Sequence, residues 1–266
     1  MKHLHYRRSV VSCLLLAVAA LGLIVLPGRA FATLTAKANH DHITIDSFYH
    51  GSSVSVRGVC DSDAELIIKI TSPEGHMALK EKGKAGGLLW MNVAELRFGN
   101  TPNLYLINGS KKIEDLVAVE EADKYVLGYS ALKRHITMEP ISDPAERVTW
   151  SDEFIKYKEN QNLYLEGNGK ITFSAKKDGS TSYYLLFDWP YQAAPGDYLV
   201  DVYAIKDCKV VETAQSKINV EQVGTVKYLA TMAKENGGMY GALSIVVAIF
   251  CGFGVGMIFR KGGGAH

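Results

Sequence analysis

Catalytic signatures are missing from this chain. It has no Gly-x-Ser-x-Gly elbow, no His-Glu-x-x-His pair, no phosphate loop and no Cys-x-x-Cys motif. Gly83, Gly86 and Gly87 cluster, but without the strand-to-helix spacing that cradles a phosphate. No enzymatic activity and no cofactor are expected. Charge of one sign is also lacking, with 29 Lys and Arg against 28 Asp and Glu. No basic excess points to nucleic acid, and no acidic run points to a disordered tail. Cysteine is scarce, at four residues. Cys13 and Cys251 fall inside apolar runs. Cys60 and Cys208 remain, and an oxidising compartment would allow them to pair. Two separate small residues at strand ends is the competing reading.

Long apolar runs, by contrast, occur twice. Residues 10–26 follow Lys2, Arg7 and Arg8 and precede Ala30, Phe31 and Ala32. Charged start, apolar middle and small-x-small ending are the layout of a secretory signal, here over 1–32. An uncleaved N-terminal anchor is the alternative. A lipoprotein reading of Cys13 fails, because almost no apolar region would precede it. Residues 239–259 carry no charge, and Arg260 and Lys261 follow at once. About 21 residues at ~1.5 Å rise reach ~30 Å, the thickness of a bilayer core. The expectation is an exported domain held by one C-terminal membrane helix, with residues 260–266 in the cytoplasm. Ser244, Ala248, Gly252 and Gly256 recur every four residues along that helix. Such a stripe of small side chains admits a second helix, from a copy of this chain or from a polytopic protein.

Between the two runs the chain reads as mainly β. Residues 43–48 and 54–59 alternate, and 65–70 are nearly continuously apolar, as suits a strand buried on both faces. Further strands fall at 77–80, 88–93, 96–98 and 104–107, making an N-terminal β domain over 33–110. Trp90 lies in one of these apolar strands and is expected in the core. Residues 111–160 change period and form a helical insert. Val119, Ala122, Val126, Tyr129, Leu132 and Ile136 make one stripe of a single helix. A second helix opens at Asp143 and Pro144, a cap followed by the favoured first-turn residue, and should carry Val148, Phe154 and Ile155 to the core.

Residues 161–222 return to strands, with Asn168-Gly169 and Asp178-Gly179 as hairpin turns. Pro195, Gly196, Asp197 and Tyr198 open an alternating strand. A Gly two residues ahead of such a Tyr resembles the tyrosine corner of immunoglobulin-like sandwiches. The expected fold is therefore immunoglobulin-like β-sandwich units with a helical insert and one C-terminal transmembrane helix. Whether 33–110 and 161–222 build two units or one is open, with two packed units slightly favoured. Residues 223–238 lead to the membrane as a helix and a Gly237-Gly238 hinge.

Two constellations carry candidate chemistry. His40 and His42 are two apart, so on a strand both imidazoles face one side and could close on Cu or Zn. His50 or His76 would supply a third ligand. Phe187, Asp188, Trp189, Pro190 and Tyr191 form an aromatic run ended by proline. Trp189 and Tyr191 would project from a loop as a partner-binding surface; core filling at a sheet end is the alternative.

Several landmarks together resemble one family. They are Phe48 and Gly51, the run Leu89-Trp90-Met91-Asn92, the run from Asn100 to Tyr105, the Pro195–Tyr198 corner, and Ile258 to Lys261 at the end. In this order, between a leader and a single span, they are similar to the alphaproteobacterial transmembrane family Alph_Pro_TM. The resemblance implies a cell-envelope protein of a Gram-negative bacterium, anchored in the inner membrane. It also implies association with a permease similar to sulfite exporters, and no catalytic residues. The expected function is a membrane-anchored periplasmic interaction module, accessory to a membrane transport protein. The alternative is a periplasmic metal-binding protein using His40 and His42.

Overall fold

The strand Glu65–Thr71 (β4) shows why this chain folds as it does. Leu66, Ile67, Ile68 and Ile70 are all fully buried, so both faces of the strand need cover. One face receives a second sheet and the other a layer of helices. The computed structural model describes residues 33–176 and 179–260. The expected leader at 1–32, with Cys13, and the tail at 261–266 lie outside the described residues.

The other strands, in chain order, are Lys37–Ala38 (β1), His42–Ile45 (β2), Ser52–Asp61 (β3), Glu74–Ala85 (β5), Leu89–Pro102 (β6) and Tyr105–Gly109 (β7). Then come Thr137–Glu139 (β8), Tyr164–Asn168 (β9), Thr172–Phe173 (β10), Ser180–Trp189 (β11), Gly196–Lys206 (β12) and Lys209–Gln222 (β13). The large sheet has the order β2-β13-β12-β4-β7-β9, and the smaller one β1-β3-β11-β10. Both edge pairs of the large sheet, β2 with β13 and β7 with β9, run parallel. The structure is mainly β, and it joins the two β regions into one sandwich. β3 pairs with β11, and β4 pairs with β12, so each sheet draws strands from both sides of the helical insert. The slightly favoured picture of two packed units is therefore corrected. An unpaired β3 or β4 would leave its backbone N–H and C=O groups buried without partners, and the partners are supplied from far along the chain.

In β11 the alternation is regular. Thr181, Tyr183, Leu185, Phe187 and Trp189 point inward, while Ser182, Tyr184, Leu186 and Asp188 are exposed. At Gly58 on β3, a Cβ would stand 1.8 Å from the Thr35 carbonyl oxygen and 2.6 Å from the Tyr183 hydroxyl. The corner motif forms as expected. Tyr198 is buried, and its hydroxyl donates to the Ala194 carbonyl at 2.5 Å. Asn168-Gly169, expected as a hairpin turn, instead carries the chain from the large sheet to the smaller one. Asp178 lies outside the described residues.

Four helices follow β7: Ile113–Leu116 (α1), Val119–Tyr125 (α2), Gly128–His135 (α3) and Pro144–Asn160 (α4). The single helix expected over 119–136 is broken between α2 and α3, where Val126 takes a left-handed conformation. The break is bound to the sheet beneath. The Tyr105 hydroxyl donates to the Val126 carbonyl and accepts from the Gly128 amide, both at 2.9 Å. The Lys69 ammonium donates to the Tyr125 carbonyl at 2.7 Å. Asp143 caps α4, accepting from the Ala145 amide, with Pro144 first in the helix. Phe154 and Ile155 are buried as expected, but Val148 is exposed because the helix turns that face to solvent.

The third sheet, β5-β6-β8, is anchored only at its base. Phe98 stacks on Phe154 of α4 with ring centroids 4.5 Å apart, and Leu96 is also buried. Beyond that point β5 and β6 continue as a hairpin. After β13 the chain forms Gly224–Glu235 (α5) and Gly237–Arg260 (α6), separated at Asn236. The expected glycine hinge is thus helical from Gly237, and the interruption falls one residue earlier.

Candidate functional site

Helix α6 contains 21 residues, Gly237–Met257, long and apolar enough to cross a membrane, with mean hydropathy 2.0. None of that segment is buried against the protein. A helix apolar on every side, and unburied among the described residues, requires apolar surroundings. Ser244, Ala248, Gly252 and Gly256 lie along it. At Gly252 and Gly256 a Cβ would meet nothing within 4 Å, and a shallow groove flanked by Phe253 and Met257 results. The Ser244 hydroxyl is satisfied within the helix, donating to the Tyr240 carbonyl at 2.8 Å.

Among the described residues, the candidate metal-ligating histidines do not come together as the expected ligand set. The His42 Nε2 lies 3.0 Å from a Glu221 carboxylate oxygen. His50 Nδ1 contacts the Phe48 carbonyl oxygen two residues back. Among the described residues, no group of three His, Cys, Asp or Glu side chains is placed to hold a metal ion. His40 and His76 join no such group. Cys60 and Cys208 are free thiols, one buried and the other exposed at the β12–β13 turn. Burial, with the neighbouring Asp61 charge, pushes the Cys60 thiol up to about 11.

The aromatic run divides. Trp189 is the last residue of β11 and faces the core at 2 % exposure, its ring edge-on to Tyr198. It is core, not a projecting partner residue, because it is still within β11 and shares the inward-facing alternation of Thr181, Tyr183, Leu185 and Phe187. Tyr191 is exposed. Both line a cleft of about 400 Å³ at the open edge of the sandwich, with Leu106, Leu165, Leu185 and Phe187 as apolar walls. Among the described residues, Asn108 Oδ1, Trp189 Nε1 and Gln192 Oε1 are buried there without hydrogen-bond partners.

Between the large sheet and the helices, Lys69 and Asp201 face each other at 3.9 Å, both nearly buried. Burial lowers the Lys69 pKa, and the Asp201 charge partly restores it. Burial raises the Glu166 carboxyl, although the Tyr129 amide donates to it. These groups hold the insert to the sheet.

Trp90 departs most from expectation. It is 69 % exposed, and Leu88, Leu89 and Met91 are exposed beside it. All four sit at the free end of the β5–β6 hairpin, around the turn at Gly86 and Gly87. An apolar strand sequence normally signals burial, and that pattern misled here. The available signal was position: four large apolar residues directly after a glycine cluster, where a turn is usually polar. A family model described as "Putative transmembrane protein (Alph_Pro_TM)" matches residues 33–261. No curated protein matches the chain.

Proposed function

The chain belongs to the Alph_Pro_TM family of transmembrane proteins, and from that premise we propose a non-enzymatic role: a membrane-anchored interaction module. The observation that carries this reading is α6, a 24-residue helix joined through α5 to a β-sandwich. In this proposal the sandwich stands in the periplasm, α6 crosses the inner membrane of a Gram-negative cell, and the C-terminus is cytoplasmic. The partner is an integral membrane transport protein, of the permease class similar to sulfite exporters, and α6 meets it through the Gly252 and Gly256 groove. Close approach of backbones at small residues favours such packing in lipid.

The test is recovery of the tagged full-length protein in mild detergent after crosslinking, followed by mass spectrometry. Stoichiometric recovery of a polytopic permease supports the accessory role. Recovery of this chain alone overturns that role and leaves the anchored sandwich to act by itself.

A further inference from the structure

The β5–β6 hairpin ends in a wedge. From Lys80 to Glu95 none of the described side chains is buried. At ~3.3 Å per residue, the five steps from Lys80 to Ala85 carry the tip ~17 Å beyond the packed base. Trp90 pairs with Lys84 on one face of the hairpin, and Met91 pairs with Gly83 on the other. Leu88, Leu89, Trp90 and Met91 therefore present apolar surface on both faces and at the turn. A protein groove matched to one sheet face would leave the opposite face wet. A lipid interface covers all sides at once.

Charge agrees with that environment. Residues 80–95 hold three lysines, Lys80, Lys82 and Lys84, against two carboxylates, Glu81 and Glu95; Glu95 pairs across the strands with Lys80, so Lys82 and Lys84 are the charges nearest the tip. The Lys84 ammonium lies over the Trp90 ring, 5.5 Å from its centroid. Lysines behind an apolar tip can extend to anionic headgroups while the tip enters the acyl boundary, and indole favours that boundary.

We infer that the β5–β6 hairpin is a second membrane contact, inserting Leu88, Leu89, Trp90 and Met91 into the interface of an anionic bilayer. The inference rests on α6 being membrane-spanning. It assigns the tip to lipid, not to a second copy or another protein.

The experiment uses the full-length chain reconstituted in vesicles of phosphatidylcholine and phosphatidylglycerol, with and without bromine on the acyl chains. The protein has three tryptophans, so the Trp90→Phe variant supplies the signal of Trp150 and Trp189. The Trp90 emission obtained by difference should be blue-shifted, shielded from aqueous iodide, and reduced roughly two-fold or more by brominated lipid. A chain with Lys80, Lys82 and Lys84 all changed to Glu should lose most of that quenching. Trp90 emission that iodide quenches and brominated lipid does not would overturn the inference. So would emission shielded from both, with copies crosslinked at the tip, which assigns the tip to a second copy. Flotation of the same vesicles reports α6 separately: a chain that floats with Trp90 unquenched refutes only the hairpin contact, and a chain that does not float refutes the anchor.

Discussion

Trp189 and Tyr198 meet edge to face, ring centroids 4.8 Å apart, and join the two sheets of the sandwich at one point. Trp189 ends β11 in the smaller sheet, and Tyr198 is the third residue of β12 in the larger one. The Tyr198 hydroxyl fixes the turn that precedes it. Removing the indole should cost about 3–5 kcal/mol, the range for deleting a buried aromatic. Tyr198→Phe should cost about 0.5–1.5 kcal/mol, the net worth of one hydrogen bond whose acceptor residue, Ala194, is exposed to water. Denaturant unfolding of the full chain in detergent measures both. A Trp189→Ala protein as stable as the parent would remove this contact from the core.

Gly58→Ala tests a close approach. Its Cβ would overlap the Thr35 carbonyl oxygen, which is backbone and cannot swing away. A loss of about 1–3 kcal/mol is expected from overpacking. Gly86→Ala makes a control in open space, although its positive φ adds a smaller strain. Equal melting temperatures for the Gly58 variant and the parent would contradict the strand pairing described.

Alkaline pH should unfold the sandwich. Burial raises the phenols of Tyr105, Tyr129, Tyr164, Tyr183 and Tyr203 above their usual 10.0, and that of Tyr198 to about 12. A folded-state value above the unfolded one means stability is intact below the unfolded value and lost as pH rises through the folded ones. Lys69 and Lys158 run the other way: burial lowers both, so their charging penalties fade as pH climbs toward 10.5. Six tyrosines outweigh two lysines, so stability should fall steadily above pH ~10. Stepwise pH unfolding, followed by tyrosinate absorbance, checks this. A tyrosinate absorbance change that is complete before secondary structure is lost would show the buried phenols to be accessible.

The thiols should react in a fixed order. Cys208 is exposed and should be labelled first by a water-soluble maleimide in reconstituted vesicles. Cys60, buried and with its thiol pushed up to about 11, should react only on unfolding. Cys251 in α6 should stay protected by lipid and become reactive in denaturant. Peptide mass mapping reads all three sites. Fast labelling of Cys251 in intact vesicles would contradict the membrane span.

Under the proposed accessory role, Gly252→Leu or Gly256→Leu should reduce recovery of a polytopic permease several-fold while leaving unfolding of the sandwich unchanged. Undiminished recovery removes the small-residue stripe from the interface.

Much of the fold was legible in the sequence because its signals are local. The β-branched run at 65–70, the Asp143-Pro144 helix start and the Gly196–Tyr198 corner each describe their own surroundings, and each stands where expected. What could not be read was pairing across distance. Nothing in residues 52–61 names β11 as a neighbour, so the interleaving of the two β regions was hidden. The break at Val126 was hidden for a similar reason. It depends on Tyr105 and Lys69, which lie about twenty and nearly sixty residues away in sequence. For the candidate site, α6 was legible from its composition, whereas Trp90 and Trp189 exchanged roles. Periodicity records that a residue is apolar but not which sheet covers it.

The pairing of β2 with β13 fixes when this molecule can be finished. One of the first strands made waits for the last, and the last is followed within two residues by the helix leading to α6. A chain threaded across a membrane N-terminus first would spend almost its whole passage with an incomplete large sheet. Strands such as β4, apolar on both faces, would stay uncovered throughout. Assembly would thus be delayed until the anchor arrives, and a release from the ribosome or translocase ahead of residue 222 would leave no smaller sandwich to fall back on.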